Sequence, residues 1–295
     1  MSTRLYVAYL ATDGGADALA LGVRLARSFG AALDIGMVLP PDKAGTLTGG
    51  NFDDVLTAKA DAWLAAAKTM LPDDIEVATH IGFYESTAEG IIAEAQRTGA
   101  ASIVVGGTGG GLVGALSLGS AVNDLVHSSP VPVAIAPRSL RRSKVAEITQ
   151  VTCALGDREG SGFLLDTAIR AAARARVPLR IVSLIALEHL PHVNGRDTLE
   201  PAREHARESV QRAIFGLPAD AQVTWDVVDG PTIEDAVNKV EWTDGDILLV
   251  GSSRLAEPRR LFLGSTAAKM LRVVAVPMAI VPREDAPGPT SSGQD

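Results

Sequence analysis

The sequence holds a single cysteine, Cys153, so no disulfide can form within one chain. A reducing compartment suits such a chain, and a cytoplasmic location is expected. Aromatic residues make up only 4%, so the cores must be built from Val, Leu, Ile and Ala, as in parallel sheets covered by Ala-rich helices. No apolar run approaches the ~20 residues of a membrane span. The start, Met1-Ser2-Thr3-Arg4-Leu5-Tyr6, enters a strand at once and has no signal-peptide h-region. Cations are in deficit, 27 Lys and Arg against 35 Asp and Glu, for a net charge of −8. That argues against generic nucleic-acid or anionic-membrane partners, whose phosphates demand clustered cations. Histidines number 5, and no metal site is assigned. His189 and His192 sit in a Pro/Gly-bearing loop without a third ligand, and His80 and His127 read as structural. No nucleophile–base pair or carboxylate dyad stands out, so no catalytic residue is assigned.

What is present is a 46% hydrophobic chain of 295 residues, enough for two domains. In the first half, strands are expected over Leu5–Ala11, Ala32–Leu39, Ile75–Ile81, Ala101–Val105 and Val131–Ala136. Helices are expected over Asp17–Phe29, Phe52–Met70, Ser86–Arg97 and Ser120–His127. Gly30 reads as a helix stop, and Ser86 with Glu89 as a helix start. The second half repeats the order, with strands over Val151–Leu155, Leu179–Ile185, Val223–Val228, Asp246–Val250 and Val276–Val281. Its helices run over Phe163–Ala175, Leu199–Phe215 and Ile233–Val240, and a further one opens at Gly264-Ser265. Alternation of strand and helix predicts an α/β fold of two tandem doubly wound domains, each a five-stranded, mostly parallel sheet. The domains are expected at 1–140 and 145–284, joined by a hydrophilic linker carrying Arg138, Arg141, Arg142 and Lys144. The tail, 285–295, is rich in Pro, Gly and Ser and reads as disordered.

One stretch organises the chain: Ile103-Val104-Val105-Gly106-Gly107-Thr108-Gly109, running on to Leu118-Gly119-Ser120. Its echo is Ile247-Leu248-Leu249-Val250-Gly251-Ser252-Ser253-Arg254, running on to Leu263-Gly264-Ser265. The offset is 145 at both ends (251 − 106 and 264 − 119). In an open parallel sheet, ligands bind beyond the carboxyl ends of strands where strand order reverses. Gly106 ends a fourth strand, and Asp13 follows the first. The glycines expose backbone N–H groups with no Cβ to hold an anion away, and Gly119-Ser120 opens a helix whose free N–H groups favour phosphate. A carboxylate across the crevice suits ribose hydroxyls. These features together describe a mononucleotide site. Gly109-Gly110-Gly111-Leu112-Val113-Gly114 also matches the dinucleotide pattern, but no acid follows at the required distance. Gly114 to Ser120 lacks the lysine of a P-loop.

The spacing Gly106-x2-Gly109-x9-Gly119-Ser120 resembles the nucleotide-binding signature of the universal stress protein family. Thr12-Asp13-Gly14 and Val131-Pro132-Val133 agree with it, and the resemblance covers the chain as a tandem pair. It implies strand order 3-2-1-4-5 and an ATP (or ADP or AMP) ligand, with or without Mg. It implies that Gly106, Gly109, Gly119 and Ser120 hold phosphates, that Asp13 meets the nucleoside, and that the Val38 backbone meets adenine. In the second half Gly251, Gly264 and Ser265 match, Asp157 and Leu184 correspond to Asp13 and Val38, and Arg254 replaces the second glycine. The first half is thereby the stronger candidate. The family pairs domains through the last strand, so Val131–Ala136 and Val276–Val281 are expected to pair within the chain, and chains to dimerise further. The expected role is a nucleotide-dependent regulatory or interaction module of the stress response with protein partners still to be identified, at most a slow ATPase. The alternatives are a scaffold that binds no nucleotide, or a weak ATP-hydrolysing enzyme.

Overall fold

A computed structural model describes residues 3–41, 52–107, 119–156, 161–189, 198–215, 222–253 and 260–283. In the first half the order is β1 (Thr3–Ala8), α1 (Asp13–Phe29), β2 (Ala31–Leu39), α2 (Phe52–Thr69), β3 (Val77–Phe83), α3 (Thr87–Arg97), β4 (Ser102–Gly106), α4 (Ser120–Leu125) and β5 (Val133–Ala136). The second half follows with β6 (Gln150–Ala154), α5 (Ser161–Ala175), β7 (Leu179–Ala186), α6 (Leu199–Phe215), β8 (Val223–Gly230), α7 (Ile233–Lys239), β9 (Asp246–Gly251), α8 (Ser265–Val273) and β10 (Met278–Val281).

The two halves share one ten-stranded sheet, ordered β3-β2-β1-β4-β5-β10-β9-β6-β7-β8. Each half is therefore 3-2-1-4-5. Every pairing is parallel except β5 with β10, where Ala134 faces Ala279 across an antiparallel ladder. This is the pairing of last strands that the sequence led us to expect, and it removes two sheet edges from solvent. Both strands begin later than expected, at Val133 and Met278, because Pro132 and Pro277 have no N–H for a ladder. Their carbonyls still accept, from Ile103 N and Leu248 N, each at 2.9 Å.

The inner strands are buried on both faces, while the edge strands β3 and β8 are partly exposed. One face carries α1, α2, α5 and α6 over Leu33, Ile35, Cys153 and Ile181. The other carries α3, α4, α7 and α8 over Tyr6, Ile103, Leu248 and Met278. Both layers run continuously from one half into the other.

Two local differences shape the site. β1 ends at Ala8 and α1 starts at Asp13, earlier than the expected Asp17. Thr12 is the cap, its hydroxyl accepting from Gly15 N at 3.2 Å. A Cβ on Gly15 would fall 1.8 Å from Leu10 O, so only glycine allows this tight entry. The second difference is the expected linker. Leu140–Arg142 is a single 3-10 turn. Buried Asp17 holds it by accepting from Ser139 N at 3.0 Å and Arg141 N at 2.9 Å.

Candidate functional site

The carboxyl ends of β6 and β9 flank the point where the second half's strand order reverses. A cleft of about 1120 Å³ opens there. Gly156, Leu184, Gly251, Gly264 and Ser265 all line it. Leu184, Gly251, Gly264 and Ser265 are expected contacts of the second half, and Gly156 precedes the expected Asp157 in sequence. Asp157 and Arg254 lie outside the described residues, as does Gly109 in the first half.

The local chain explains the shape. β9 ends at Gly251, and Ser252 N donates to Val281 O at 2.8 Å, continuing the strand direction. Ser253 N then donates to Phe262 O at 2.8 Å, and Phe262 N to Ser252 Oγ at 2.7 Å. These bonds fold the loop back and deliver Gly264 as the cap of α8. Gly264 offers no side-chain cap bond. The first N–H groups of α8, at Ser265, Thr266 and Ala267, thus lack intrahelical partners, and all three residues line the cleft. A helix start of this kind favours an anion.

The charge of the wall agrees. Among the described lining residues there is no Asp or Glu, while Arg283, His205 and several hydroxyls are present. Mg²⁺ therefore has no carboxylate ligand there among the described residues, and would have to arrive on a phosphate chain. The deeper wall is apolar, with Val182, Leu184, Val210 and Ile233, and suits a flat ring.

Sequence reasoning missed the α6 wall. His205 and Ser209 stand four apart on one helical face, with Ala202 and Ala206 keeping room beside them. That spacing was the available signal, though it does not by itself mark a ligand. Phe262 and Arg283 were also missed, since nothing local to them points inward.

The first half is arranged differently. The ladder pairs Leu5 with Ser102 and Val151 with Ile247. β6 therefore stands 146 residues after β1 (151 − 5), although β9 stands 145 after β4 (247 − 102). Carried forward, Gly156 takes the place of exposed Leu10. Asp13 lies in the first turn of α1, 87% exposed, and its carboxylate pairs with Arg141 Nη2 at 2.6 Å. Gly106 is a glycine for packing reasons, because a Cβ there would come 1.9 Å from Gly14 O. Among the described residues, the nearest neighbour of a Cβ on Gly251 would be Leu164 Cδ2 at 3.5 Å. α3 packs closely on Val38: a Cβ on Gly90 would meet Val38 Cγ1 at 2.6 Å and Tyr84 Cδ2 at 2.7 Å. Tyr84 in turn donates to Glu94 at 3.0 Å. Gly119 caps α4 without a side-chain bond, and Ser120 opens that helix, which is six residues long.

Two other readings can be placed. Cys153 is fully buried in β6, and burial pushes its thiol up to about 12, so it is an inert core group. His80 is structural, 2.6 Å from the Asp34 carboxylate and 3.0 Å from Arg97 Nη2.

Fold and cleft together define a tandem α/β protein with a crevice at the strand ends of its second half. The sequence profile described as "Universal stress protein family" matches residues 1–137 and again 147–282. The chain belongs to the universal stress protein family. It is 29% identical over 299 residues to universal stress protein Rv2319c of Mycobacterium tuberculosis, covering 94% of this chain and 99% of that one. Among solved structures it resembles a universal stress protein from Archaeoglobus fulgidus, with TM-score 0.63, 17% identity, and 96% and 99% of the two chains covered. It also resembles a putative universal stress protein from Pseudomonas aeruginosa UCBPP-PA14, with TM-score 0.55, 18% identity, and 96% and 94% covered. At those identities the likeness is one of fold. No helix among the described residues is long and apolar enough to cross a membrane.

Proposed function

We propose that the protein is a cytoplasmic stress-response module that binds one adenine nucleotide, and that it does so in its second half. The observation that carries this reading is the cleft at the β6–β9 switch point, lined by Gly156, Leu184, Gly251, Gly264 and Ser265. The phosphates would lie on the α8 N-terminus and the Ser265 hydroxyl, and the base against Leu184 and Ile233. Mg would come bound to the phosphates. This reverses the preference that the intact glycine motif gave to the first half, because four of the second half's expected contacts line one cleft among the described residues. The nucleotide acts as a state marker read by protein partners, with no residue assigned to hydrolysis. Domain limits at 1–140 and 145–284 and a homodimer belong to the same reading.

The test is native mass spectrometry of freshly purified protein, followed by titration with ATP-Mg, ADP and AMP. One nucleotide per chain is expected, lost in Leu184→Trp and kept in Val38→Trp. Two nucleotides per chain, or loss only in Val38→Trp, would return the site to the first half. No nucleotide and no thermal shift at millimolar ATP-Mg would favour the scaffold.

A further inference from the structure

A second cavity opens on the first half, between α1, the end of α2 and the turn after β5. Its volume is about 650 Å³, within the usual range of small-molecule sites, about 300–1,000 Å³. None of the nucleotide-motif residues lines it. Its floor is apolar, with Leu19, Val23, Leu71 and Leu140. Its rim carries Arg24, Arg27, Arg141 and Lys144, with no Asp or Glu among the described lining residues. In a chain where acids outnumber cations 35 to 27, such a wall is not what average composition supplies.

The four cations are not equally satisfied. Arg27 is held by Asp74 at 3.0 Å, and Arg141 by Asp13 at 2.6 Å and Asp17 at 2.9 Å. Arg24 is only 2% exposed. Its bonds go to neutral groups, the Asp244 carbonyl at 2.6 Å and Ser143 Oγ at 2.5 Å. The Asp244 carboxylate stays 3.9 Å away. Burial lowers the pKa of Arg24, and the Asp244 charge offsets this only in part. Lys144 is exposed and makes no ion pair among the described residues. The cations least offset by acids are thus Lys144 and Arg24, whose one acid neighbour is Asp244 at 3.9 Å, at one end of an apolar floor.

We propose that this cavity binds a small organic monoanion with an apolar body, a medium-chain or aryl carboxylate. Its carboxylate sits at Arg24 and Lys144, and its body lies on Leu19, Val23 and Leu71. A polyphosphate would exceed the charge on offer and leave the floor uncovered. The site is independent of the second-half cleft, and neither depends on the other being right.

Titration calorimetry with decanoate tests this, with decan-1-ol as the uncharged control. Decanoate is expected to bind one per chain, at least about tenfold tighter than the alcohol, a difference of about 1.4 kcal/mol. Ala20→Trp, which fills the cavity from a half-buried face of α1, should weaken decanoate at least about tenfold. Lys144→Glu, at an exposed position that leaves folding intact, should weaken it at least about threefold. Ala206→Trp, which fills the second-half cleft, should change nothing. The proposal is overturned by absence of decanoate binding, by equal affinity for decan-1-ol, or by undiminished affinity in Lys144→Glu. Loss of binding in Ala206→Trp would overturn it as well, by placing the carboxylate in the other cleft.

Discussion

The Arg24 guanidinium of the first half donates to the Asp244 carbonyl of the second at 2.6 Å, across 220 residues of sequence. Ser143, between them in the chain, accepts from Arg24 at 2.5 Å and donates to the Asp244 carboxylate at 2.6 Å. The two halves are thus fastened at a polar three-way joint as well as along β5 and β10. Arg24→Ala should destabilise the whole chain by about 1–3 kcal/mol, since it removes a buried guanidinium that bonds the Asp244 carbonyl and Ser143 Oγ. Arg24→Met, which keeps the stem's packing, should cost less. Urea unfolding of the three proteins checks this. Equal midpoints would mean that the joint contributes nothing.

The internal repeat exposes a misfit in the second copy. Gly30 ends α1 in the left-handed region, with φ 55°. Its counterpart, 146 residues on, is Arg176, with φ 57°. An L-residue there costs roughly 1 kcal/mol that glycine does not. Arg176→Gly should raise the unfolding free energy by about 0.5–1 kcal/mol, net of the added freedom of the unfolded chain. An unchanged or lowered thermal midpoint would show that the Arg176 side chain makes up the difference.

How much of this was legible beforehand depends on the range of the interactions. Strand and helix alternation is local, and so is the start at Ser86, whose hydroxyl does accept from Glu89 N at 3.3 Å. The glycine echo marked the repeat, while the strand order came from the family resemblance that its spacing carries. The one-residue slip between β1 and β6 was hidden, because it accumulates in turns that no motif marks. Asp13 stood where a ligand group was wanted, but Thr12 takes the cap and the first helical turn carries Asp13 towards Arg141. The crowding by Tyr84 depends on contacts among β2, β3 and α3 that sequence spacing does not encode.

The polar cluster under α3 makes a pH prediction. Burial alone would raise Asp34, but hydrogen bonds from Arg4 and His80 outweigh it and hold its pKa below the ordinary carboxylate value. Glu94 is likewise held low, burial being outweighed by bonds from Arg97 and Tyr84. A carboxylate with a depressed folded pKa adds stability above its unfolded value, about 3.9 for Asp. That stability is lost as pH falls through the folded value. Unfolding free energy should therefore drop below about pH 4. In Asp34→Asn the drop should be shallower and the protein weaker at pH 7. An identical acid slope in the variant would remove Asp34 from this account.

The cleft's outer loop is also tied to the first half. Leu261 N donates to Ser129 O at 2.9 Å, and the Phe262 ring meets His127 edge-on at 4.9 Å between centroids. Phe262 N in turn bonds Ser252, whose hydroxyl lines the cleft. A nucleotide seated on Ser252 and Gly264 would therefore brace a loop that is already fastened across the junction. Amide exchange should slow at Ser253, Leu261 and Phe262 when ATP-Mg saturates the protein, because local opening of that loop would have to expel the ligand. Ile103, deep in β4 and bonded to Pro132 O, should exchange at an unchanged rate. His127→Ala should reduce the ligand's effect at Leu261 without abolishing binding, since His127 touches the loop and not the cleft. Exchange at Leu261 that ignores a bound nucleotide would mean that the first half does not sense the second half's ligand by this route.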